Sequence, residues 1–196
     1  MNATETIKQA ISENNGFITR KQVIELGVNP SVLYRLASRG ELDKSSYGVY
    51  TLPHIFDDEF YNYGTRFKSG IFSLETALFL HNMNDRMPLV YDMSFPLNYG
   101  ISNLPNNINA VRESEKFYGM GSENLKTPSG NIVKAYSIER TLCDIIRTTN
   151  KVDIQIIVDA FKLYSKQPVK DIQKIYEYAI LLGVKQKIRN YLEVLL

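Results

Sequence analysis

Residues 29–53, NPSVLYRLASRGELDKSSYGVYTLP, pair a short helix with a small hairpin, and this pairing constrains the fold more than any other stretch. Asn29 is predicted to cap the helix, with Pro30 at its first position, where the missing N–H costs nothing. Gly40 is predicted to end it. Leu42 and the segment 49–52 then predict two short strands, with residues 44–46 at the tip of the hairpin.

Two further helices are predicted upstream. The i, i+3, i+4 spacing of Ile7, Ala10 and Ile11 indicates a helix over roughly residues 3–13. Thr19 is predicted to cap a second helix, whose apolar side is formed by Val23, Ile24 and Leu26. Gly27 allows a sharp turn into the third helix. Three helices followed by a two-stranded hairpin predict a winged helix-turn-helix.

The third helix separates its apolar and polar residues onto opposite faces. The predicted buried stripe is Val32, Leu33, Leu36 and Ala37. A DNA major groove, about 12 Å wide, admits one helix whose exposed side chains reach base edges. We therefore predict DNA contacts from this helix and the hairpin, through Asn29, Ser31, Tyr34, Arg35, Ser38, Arg39, Lys44, Ser45, Ser46 and Tyr47. The alternative is a winged helix that makes protein contacts only.

The segment GFITRKQVIELGVNPSVLYRLASRGELDKSSYGVYTLP resembles the N-terminal domain of AbiEi-type antitoxins, the regulatory halves of type IV toxin–antitoxin (abortive infection) systems. The similarity continues in SLETALFLHNMND (residues 73–85) and AYSIERTLCDIIR (residues 135–147). The resemblance implies an N-terminal domain that represses its own operon by binding inverted repeats in the promoter. It also implies a C-terminal domain that counteracts a nucleotidyltransferase toxin, without a stable complex between the two proteins.

The rest of the chain predicts a mixed α/β layer followed by helices. Residues 54–72 are acidic and tyrosine-rich, and we interpret them as a connection with one short helix. Strands are predicted in LVYDMSFP, NAVRESE, FYGMGSENLKTP and NIVKAYS, the last two joined around Ser129 and Gly130. Ser137 is predicted to cap the next helix, and three more helices close the chain, the last with Leu195 on its apolar stripe.

The predicted fold class is therefore α+β, with an N-terminal winged helix-turn-helix followed by a mixed α/β C-terminal domain ending in a helical bundle. The predicted domains are residues 1–53 for DNA binding, a connection over 54–72, and a C-terminal antitoxin domain over 73–196.

Positive charge is concentrated near the C-terminus, where residues 160–196 hold seven Lys/Arg against three acids. Such faces are usually only solvated surfaces. The alternative is an antitoxin surface that attracts a polyanion, formed by Lys162, Lys166, Lys170, Lys174, Lys185, Lys187 and Arg189.

Catalytic residues, cofactors and metals are not expected. His54 and His81 lie far apart, and Cys143 has no base partner at a suggestive spacing. The sharper alternative is a Mg²⁺ site formed by Asp92, Glu113 and Glu115. The charged residues of the segment ERTLCDIIR instead predict ion pairs along a helix, Arg140 with Asp144 and Asp144 with Arg147.

The composition favours a cytoplasmic protein, because there is one cysteine, no apolar run of membrane-spanning length and no signal-peptide pattern. With what the resemblance implies, the prediction is an antitoxin and autorepressor whose partners are promoter DNA and, functionally, a toxin, with no membrane. The alternative is a transcriptional regulator whose C-terminal domain binds a ligand or dimerises.

Overall fold

The computed structural model describes the backbone of residues 2–195 and the side chains of residues 2–193, so the predicted place of Leu195 lies outside the described side chains. The chain forms two compact units. The first comprises residues 1–68 and 126–133, and the second comprises residues 69–125 and 134–196. The predicted DNA-binding domain, connection and antitoxin domain were assigned by function, and the division into these two compact units does not test that assignment.

The first unit contains four helices, α1 (Ala3–Glu13), α2 (Arg20–Glu25), α3 (Ser31–Ser38) and α4 (Glu59–Arg66). Helix α1 has the predicted bounds. Asn2 begins it through a capping box with Glu5, and Ile7 and Ile11 are fully buried. It ends at Glu13 with Asn14 as its C-cap, and the next residue, Asn15, adopts a positive φ of 52°.

Helix α2 has the predicted cap but not the predicted apolar face. Thr19 forms a capping box with Gln22, and Val23 is buried. Ile24 and Leu26 are 55% and 46% exposed, so their predicted place in the core is wrong. The helix is only six residues long, and among its residues only Val23 is buried.

Helix α3 sorts its residues as predicted, with Val32, Leu33 and Leu36 buried. It begins at Ser31, one residue later than predicted. Asn29 still caps it in effect, because its side-chain oxygen accepts the Ser31 backbone N–H at 2.9 Å.

A three-stranded antiparallel sheet completes this part of the chain, in the order β1 (Phe17–Thr19), β3 (Val49–Thr51) and β2 (Asp43–Ser46). Strand β1 was missed by the sequence prediction. Residues 44–46 lie within β2 and not at the tip of the hairpin as predicted, because the pairing of Ser46 with Val49 leaves Tyr47 and Gly48 as the turn.

Helix α4 is the short helix predicted in the connection. Asp58 caps it by accepting the Tyr61 N–H at 3.0 Å. The same carboxylate accepts from Thr127 at 2.6 Å and from Asn131 at 2.8 Å. These bonds explain why residues 126–133, the tip of a hairpin far along the chain, group with the first unit.

A mixed five-stranded sheet in the order β6-β5-β4-β8-β7 belongs mostly to the second unit, whereas its residues Lys126, Ile132 and Val133 belong to the first. Its strands are β4 (Ile71–Phe72), β5 (Tyr91–Pro96), β6 (Ile108–Glu113), β7 (Ser122–Lys126) and β8 (Ile132–Tyr136). Strand β5 runs antiparallel to β4 and parallel to β6, and β4 runs parallel to β8. The predicted strands are present, except that the short helix α6 (Glu115–Tyr118) replaces the end of NAVRESE and the beginning of FYGMGSENLKTP.

The helices of the second unit are α5 (Leu74–Leu80), α7 (Ile138–Ile145), α8 (Ile154–Ser165), α9 (Ile172–Leu181) and α10 (Lys185–Leu195). Ser137 caps α7 as predicted, accepting the Arg140 N–H at 3.3 Å. One apolar core joins α5, α7, α8, α9 and α10, and its fully buried members include Leu78, Leu142, Ala179 and Ile188.

The mixed α+β class, with helices and strands at the N-terminus and helices at the C-terminus, is confirmed. Among the described residues, no helix combines the length and the apolar character that crossing a bilayer requires.

Candidate nucleic-acid interface

Helix α3 presents a polar face to solvent. Its exposed residues, together with the residue that follows the helix, are Ser31, Tyr34, Arg35, Ser38 and Arg39. In the described part of the chain, no hydrogen bond or ion pair restrains the guanidinium group of Arg35. The Ser38 hydroxyl donates its proton to the Arg35 carbonyl at 2.9 Å, so that proton is used within the helix. The free hydrogen-bonding capacity of this face therefore belongs mainly to its two arginines.

Tyr34 is held by a contact with the hairpin. Its ring lies edge-to-face with that of Tyr50, with 6.2 Å between centroids and an angle of 85°. Burial, together with the neighbouring Tyr34, raises the pKa of the Tyr50 hydroxyl. Tyr34 remains 55% exposed, so one edge of its ring is oriented by the protein while the rest faces solvent.

The β2–β3 hairpin presents fewer free groups than the sequence suggested. Lys44 is exposed, and Tyr47 at the turn is 80% exposed. Ser45 and Ser46 are half-buried, and their hydroxyls hydrogen-bond to Asn62 on α4 at 3.0 and 3.1 Å. Serine hydroxyls with partners inside the protein orient the hairpin more readily than they reach a ligand.

Asp57 adds a negative charge beside the hairpin. Its carboxylate accepts hydrogen bonds from Ser45 and from the side-chain amide of Asn62, the latter at 2.8 Å. Asn62 is buried and joins the three side chains into one network. This network lies within the first unit and fixes β2 against α4.

Arg20 lies beside the hairpin turn, and sequence reasoning missed it. Its backbone N–H donates to the Gly48 carbonyl at 2.8 Å, and its side chain is exposed. Its positive charge lowers the pKa of Tyr50, against the larger opposite effect of burial. A basic residue at the start of α2 was visible in the sequence, but its place beside Gly48 depends on the pairing of β1 with β3.

The charges of this region divide into paired and unpaired groups. Lys8 pairs with Glu41 at 2.8 Å, and Lys21 pairs with Glu25 at 3.2 Å. The remaining cations of residues 1–53 have no ion pair within the described residues, and they are Arg20, Arg35, Arg39 and Lys44. The unpaired positive charges therefore lie on α3, at the start of α2 and on the hairpin.

The basic residues predicted near the C-terminus are not all free. Lys170 donates to the carbonyls of Ser165 and Gln167 at 2.9 and 2.8 Å, and Lys187 donates to the carbonyl of Ile146 at 3.1 Å. Both lysines thus satisfy carbonyl groups that helix ends leave without partners.

The other basic residues of the predicted antitoxin surface differ in their surroundings. Arg189 pairs with Glu193 at 2.5 Å, and Lys162 lies 4.0 Å from Asp159. Three side chains have no hydrogen bond or ion pair within the described residues, and they are Lys166, Lys174 and Lys185. The predicted set is therefore not one uniform basic face.

Three buried charges, those of Arg140, Asp144 and Glu113, form a cluster around α7 together with the half-buried Arg147. Arg140 donates from Nε to Asp144 at 2.8 Å and from Nη1 to the carbonyls of Phe117 and Met120. Arg147 contacts both Asp144 and Glu113. The two ion pairs predicted along the helix are present. Glu113, which comes from β6, is the partner that the sequence did not indicate.

The structure does not assemble the alternative Mg²⁺ site. Asp92 accepts from Asn109 at 2.7 Å, and Glu113 is engaged by arginine. No group of three or more His, Cys, Asp or Glu side chains suited to a metal ion occurs among the described residues. Burial raises the pKa of the Cys143 thiol, which makes it a poor nucleophile.

The segment that carries this polar face is similar to a known family. Residues 5–53 match the model of a family described as "Transcriptional regulator, AbiEi antitoxin". The match begins within α1 and extends past β3, and it confirms the resemblance predicted from the sequence of this segment. No curated protein matches the chain.

Proposed function

We propose, on the premise that residues 5–53 match the AbiEi antitoxin family of transcriptional regulators, that the chain is an antitoxin that represses its own operon. In this proposal α1–α3 and the three-stranded sheet are a winged helix-turn-helix that binds inverted repeats in the promoter. The second unit counteracts a nucleotidyltransferase toxin without a stable complex. The observation that carries the proposal is the polar face of α3, where Arg35 and Arg39 have no ion pair within the described residues.

DNA recognition in this proposal is divided between two groups of residues. Arg35, Arg39 and Tyr34 project from α3 into the major groove, where arginine reads guanine through two parallel hydrogen bonds. Lys44, Tyr47 and Arg20 contact the sugar–phosphate backbone beside it, which supports affinity but not sequence choice. Asn29, Ser31 and Ser38 contribute polar contacts at the ends of α3. Ser45 and Ser46 act mainly by holding the hairpin against Asn62.

The test is a gel-shift titration of the promoter fragment upstream of the gene. Arg35→Ala is expected to lose about 1–3 kcal/mol of binding free energy if it pairs with a guanine edge. Lys44→Ala is expected to weaken binding to all sequences and to reduce the salt slope by about one unit. Lys68→Ala is the matched control, because Lys68 is an exposed lysine of the same unit that belongs to neither α3 nor the hairpin.

One result contradicts this part of the proposal. If the Arg35→Ala/Arg39→Ala double variant binds the promoter as tightly as the parent chain, α3 does not read DNA. The domain then belongs with winged helices that make protein contacts only.

The antitoxin part is tested by growth. The chain is co-expressed with the neighbouring gene, provided that this gene encodes a nucleotidyltransferase, and rescue of growth is scored. Reversing Lys170 or Lys187 would also remove hydrogen bonds to helix-end carbonyls, so these two are unsuited to a charge test. The triple variant Lys166→Glu/Lys174→Glu/Lys185→Glu changes only side chains with no ion pair among the described residues.

The expected result is loss of rescue with unchanged promoter affinity and melting temperature, since a polyanionic partner is attracted by these charges. The matched control is Lys68→Glu/Lys126→Glu/Lys134→Glu, which reverses three exposed lysines elsewhere. Full rescue by the first triple variant would contradict the basic antitoxin surface. Failure of the parent chain to rescue would favour the regulator without a toxin partner.

A further inference from the structure

The second unit contains a groove of about 660 Å³ between the end of α7, α8 and α10. Four aliphatic side chains line it, those of Ile146, Ile154, Ile157 and Val158. Ligand sites are commonly clefts of about 300–1,000 Å³ with a mostly apolar lining and a few placed polar groups. The size and the lining of this groove are of that kind.

Part of this apolar lining is exposed to water. Ile157 and Ile146 are buried, and they form the floor next to the helical core. Ile154, at the first position of α8, is 63% exposed. An exposed isoleucine beside a cavity gains free energy when a ligand covers it.

One wall of the groove is rigid. Tyr191 on α10 stacks on Phe161 of α8 with 4.6 Å between ring centroids and an interplanar angle of 12°. Phe161 is itself almost fully buried in the core. The aromatic ring that faces the groove is therefore held in place before any ligand arrives, which reduces the entropic cost of binding.

Three of the polar side chains that line the groove keep N–H groups that can donate a hydrogen bond to a ligand. Lys187 uses one proton on the Ile146 carbonyl and keeps two. Within the described residues, the ion-pair partner of Lys162 is the distant Asp159 at 4.0 Å, whose two oxygens each accept from Gln155 at 3.0 Å. The side-chain carbonyl oxygen of Asn190 accepts from Gln186, so the NH₂ group of Asn190 is the part of this amide that can donate to a ligand.

We propose that this groove binds a small molecule with an apolar body and a single anionic group, a carboxylate or a phosphate. The apolar body lies on the isoleucines and Val158, and the anionic group is held by the ammonium groups of Lys162 and Lys187. The proposal is independent of DNA binding by the first unit.

A second copy of this chain fits the groove less well. In a two-fold symmetric contact the same patch meets itself, so the lysines of one copy would face those of the other. Like charges brought together in an apolar contact are unfavourable. A small anionic ligand instead carries a charge opposite in sign to that of both lysines.

Decanoate is the first probe, measured by isothermal titration with the full chain. Saturable binding of one decanoate per chain is expected, weakening about fourfold for each methylene removed in the series to hexanoate. Decyl phosphate tests the second source of the anionic group. Decanol and decyltrimethylammonium, with the same chain and no negative charge, are expected to bind at least tenfold more weakly.

Matched variants locate the site. Ile154→Asp and Lys162→Gln are expected to weaken decanoate binding at least tenfold. Ile180→Asp and Lys166→Gln are the controls, because Ile180 is 58% exposed on α9 and Lys166 is an exposed lysine that follows α8 outside the groove. All four positions are exposed, so melting temperatures close to that of the parent are expected.

Three results would overturn the proposal. One is decanoate binding that does not saturate or that decanol matches. Another is equal weakening by the groove variants and their controls. The third is no binding by the parent chain while Ile154→Asp changes its mass in solution from dimer to monomer, which would make the groove an interface between copies.

Discussion

Arg140 and Asp144 form an ion pair one turn apart on α7, with 2.8 Å between Nε and Oδ2 and side-chain exposures of 0% and 3%. The guanidinium also lies 4.4 Å from the centroid of the Tyr136 ring. A charged pair at this depth is stable only while both partners are present, because each alone is a buried charge. The hydrogen bonds of Arg140 to the carbonyls of Phe117 and Met120 connect this pair to residues outside α7.

Asp144→Ala is expected to lower the free energy of unfolding by about 3–5 kcal/mol, because it leaves Arg140 buried without its closest anion. Urea denaturation measures this loss. The exposed pair of Lys21 and Glu25 is the control, and Glu25→Ala is expected to cost at most about 1 kcal/mol. A loss below about 1 kcal/mol for Asp144→Ala would show that the buried pair does not support the fold.

Gly121→Ala is expected to destabilise the chain by more than Gly183→Ala. Both glycines have a positive φ, 73° and 71°, so both substitutions carry the same backbone strain. A Cβ at Gly121 would lie 2.9 Å from Arg140 Cβ, whereas the space around Gly183 is open. The difference between the two melting temperatures isolates this contact. Equal losses would mean that Arg140 moves aside at little cost.

Asp92 makes the stability of the second unit depend on pH. Burial raises the pKa of its carboxyl, although a hydrogen bond from Asn109 opposes the shift. A raised folded-state pKa contributes stability that is full below the unfolded value of about 3.9 and is lost as the pH rises through the folded value. The unfolding free energy of the parent relative to Asp92→Asn is therefore expected to fall as the pH rises from 4 to 8.

The substitution Asp92→Asn suits this comparison, because the introduced amide keeps a carbonyl oxygen that can accept from Asn109 and does not titrate. Urea denaturation of both chains at each pH gives the difference. A difference that is constant from pH 4 to pH 8, or that grows in favour of the parent, would contradict the raised pKa.

Asn62→Ala is expected to loosen the β2–β3 hairpin. The substitution removes the hydrogen bonds to Ser45, Ser46 and Asp57, and it leaves the half-buried Ser46 hydroxyl without this partner, which costs about 1–3 kcal/mol. Faster amide hydrogen exchange in residues 43–51 and a lower melting temperature are the measurements. Gln9→Ala, which removes an exposed hydrogen bond of the same unit, is the control. Unchanged exchange rates in these residues would mean that the pairing of β3 with β1 and β2 holds the hairpin without Asn62.

Local signals in the sequence determined most of the helices of this protein, with the exception of α6. The capping residue Thr19, the apolar spacing of α3 and the cap at Ser137 act within one or two helical turns, so they can be recognised without tertiary structure. The polar face of α3, which carries the proposed function, was predictable for the same reason. The resemblance of this segment to a known family rests on the same residues.

Tertiary structure decided what depends on partners distant in the sequence. Strand β1 has three buried residues and no alternation to reveal it, and it exists because β3 pairs with it. Ser45 meets Asn62 across 17 residues, and Arg147 meets Glu113 across 34. Ile24 has an apolar side chain yet stays exposed, because burial depends on whether a neighbouring element covers that side of α2. Such outcomes are set by which surfaces meet after the chain collapses, and a local pattern carries no record of that choice.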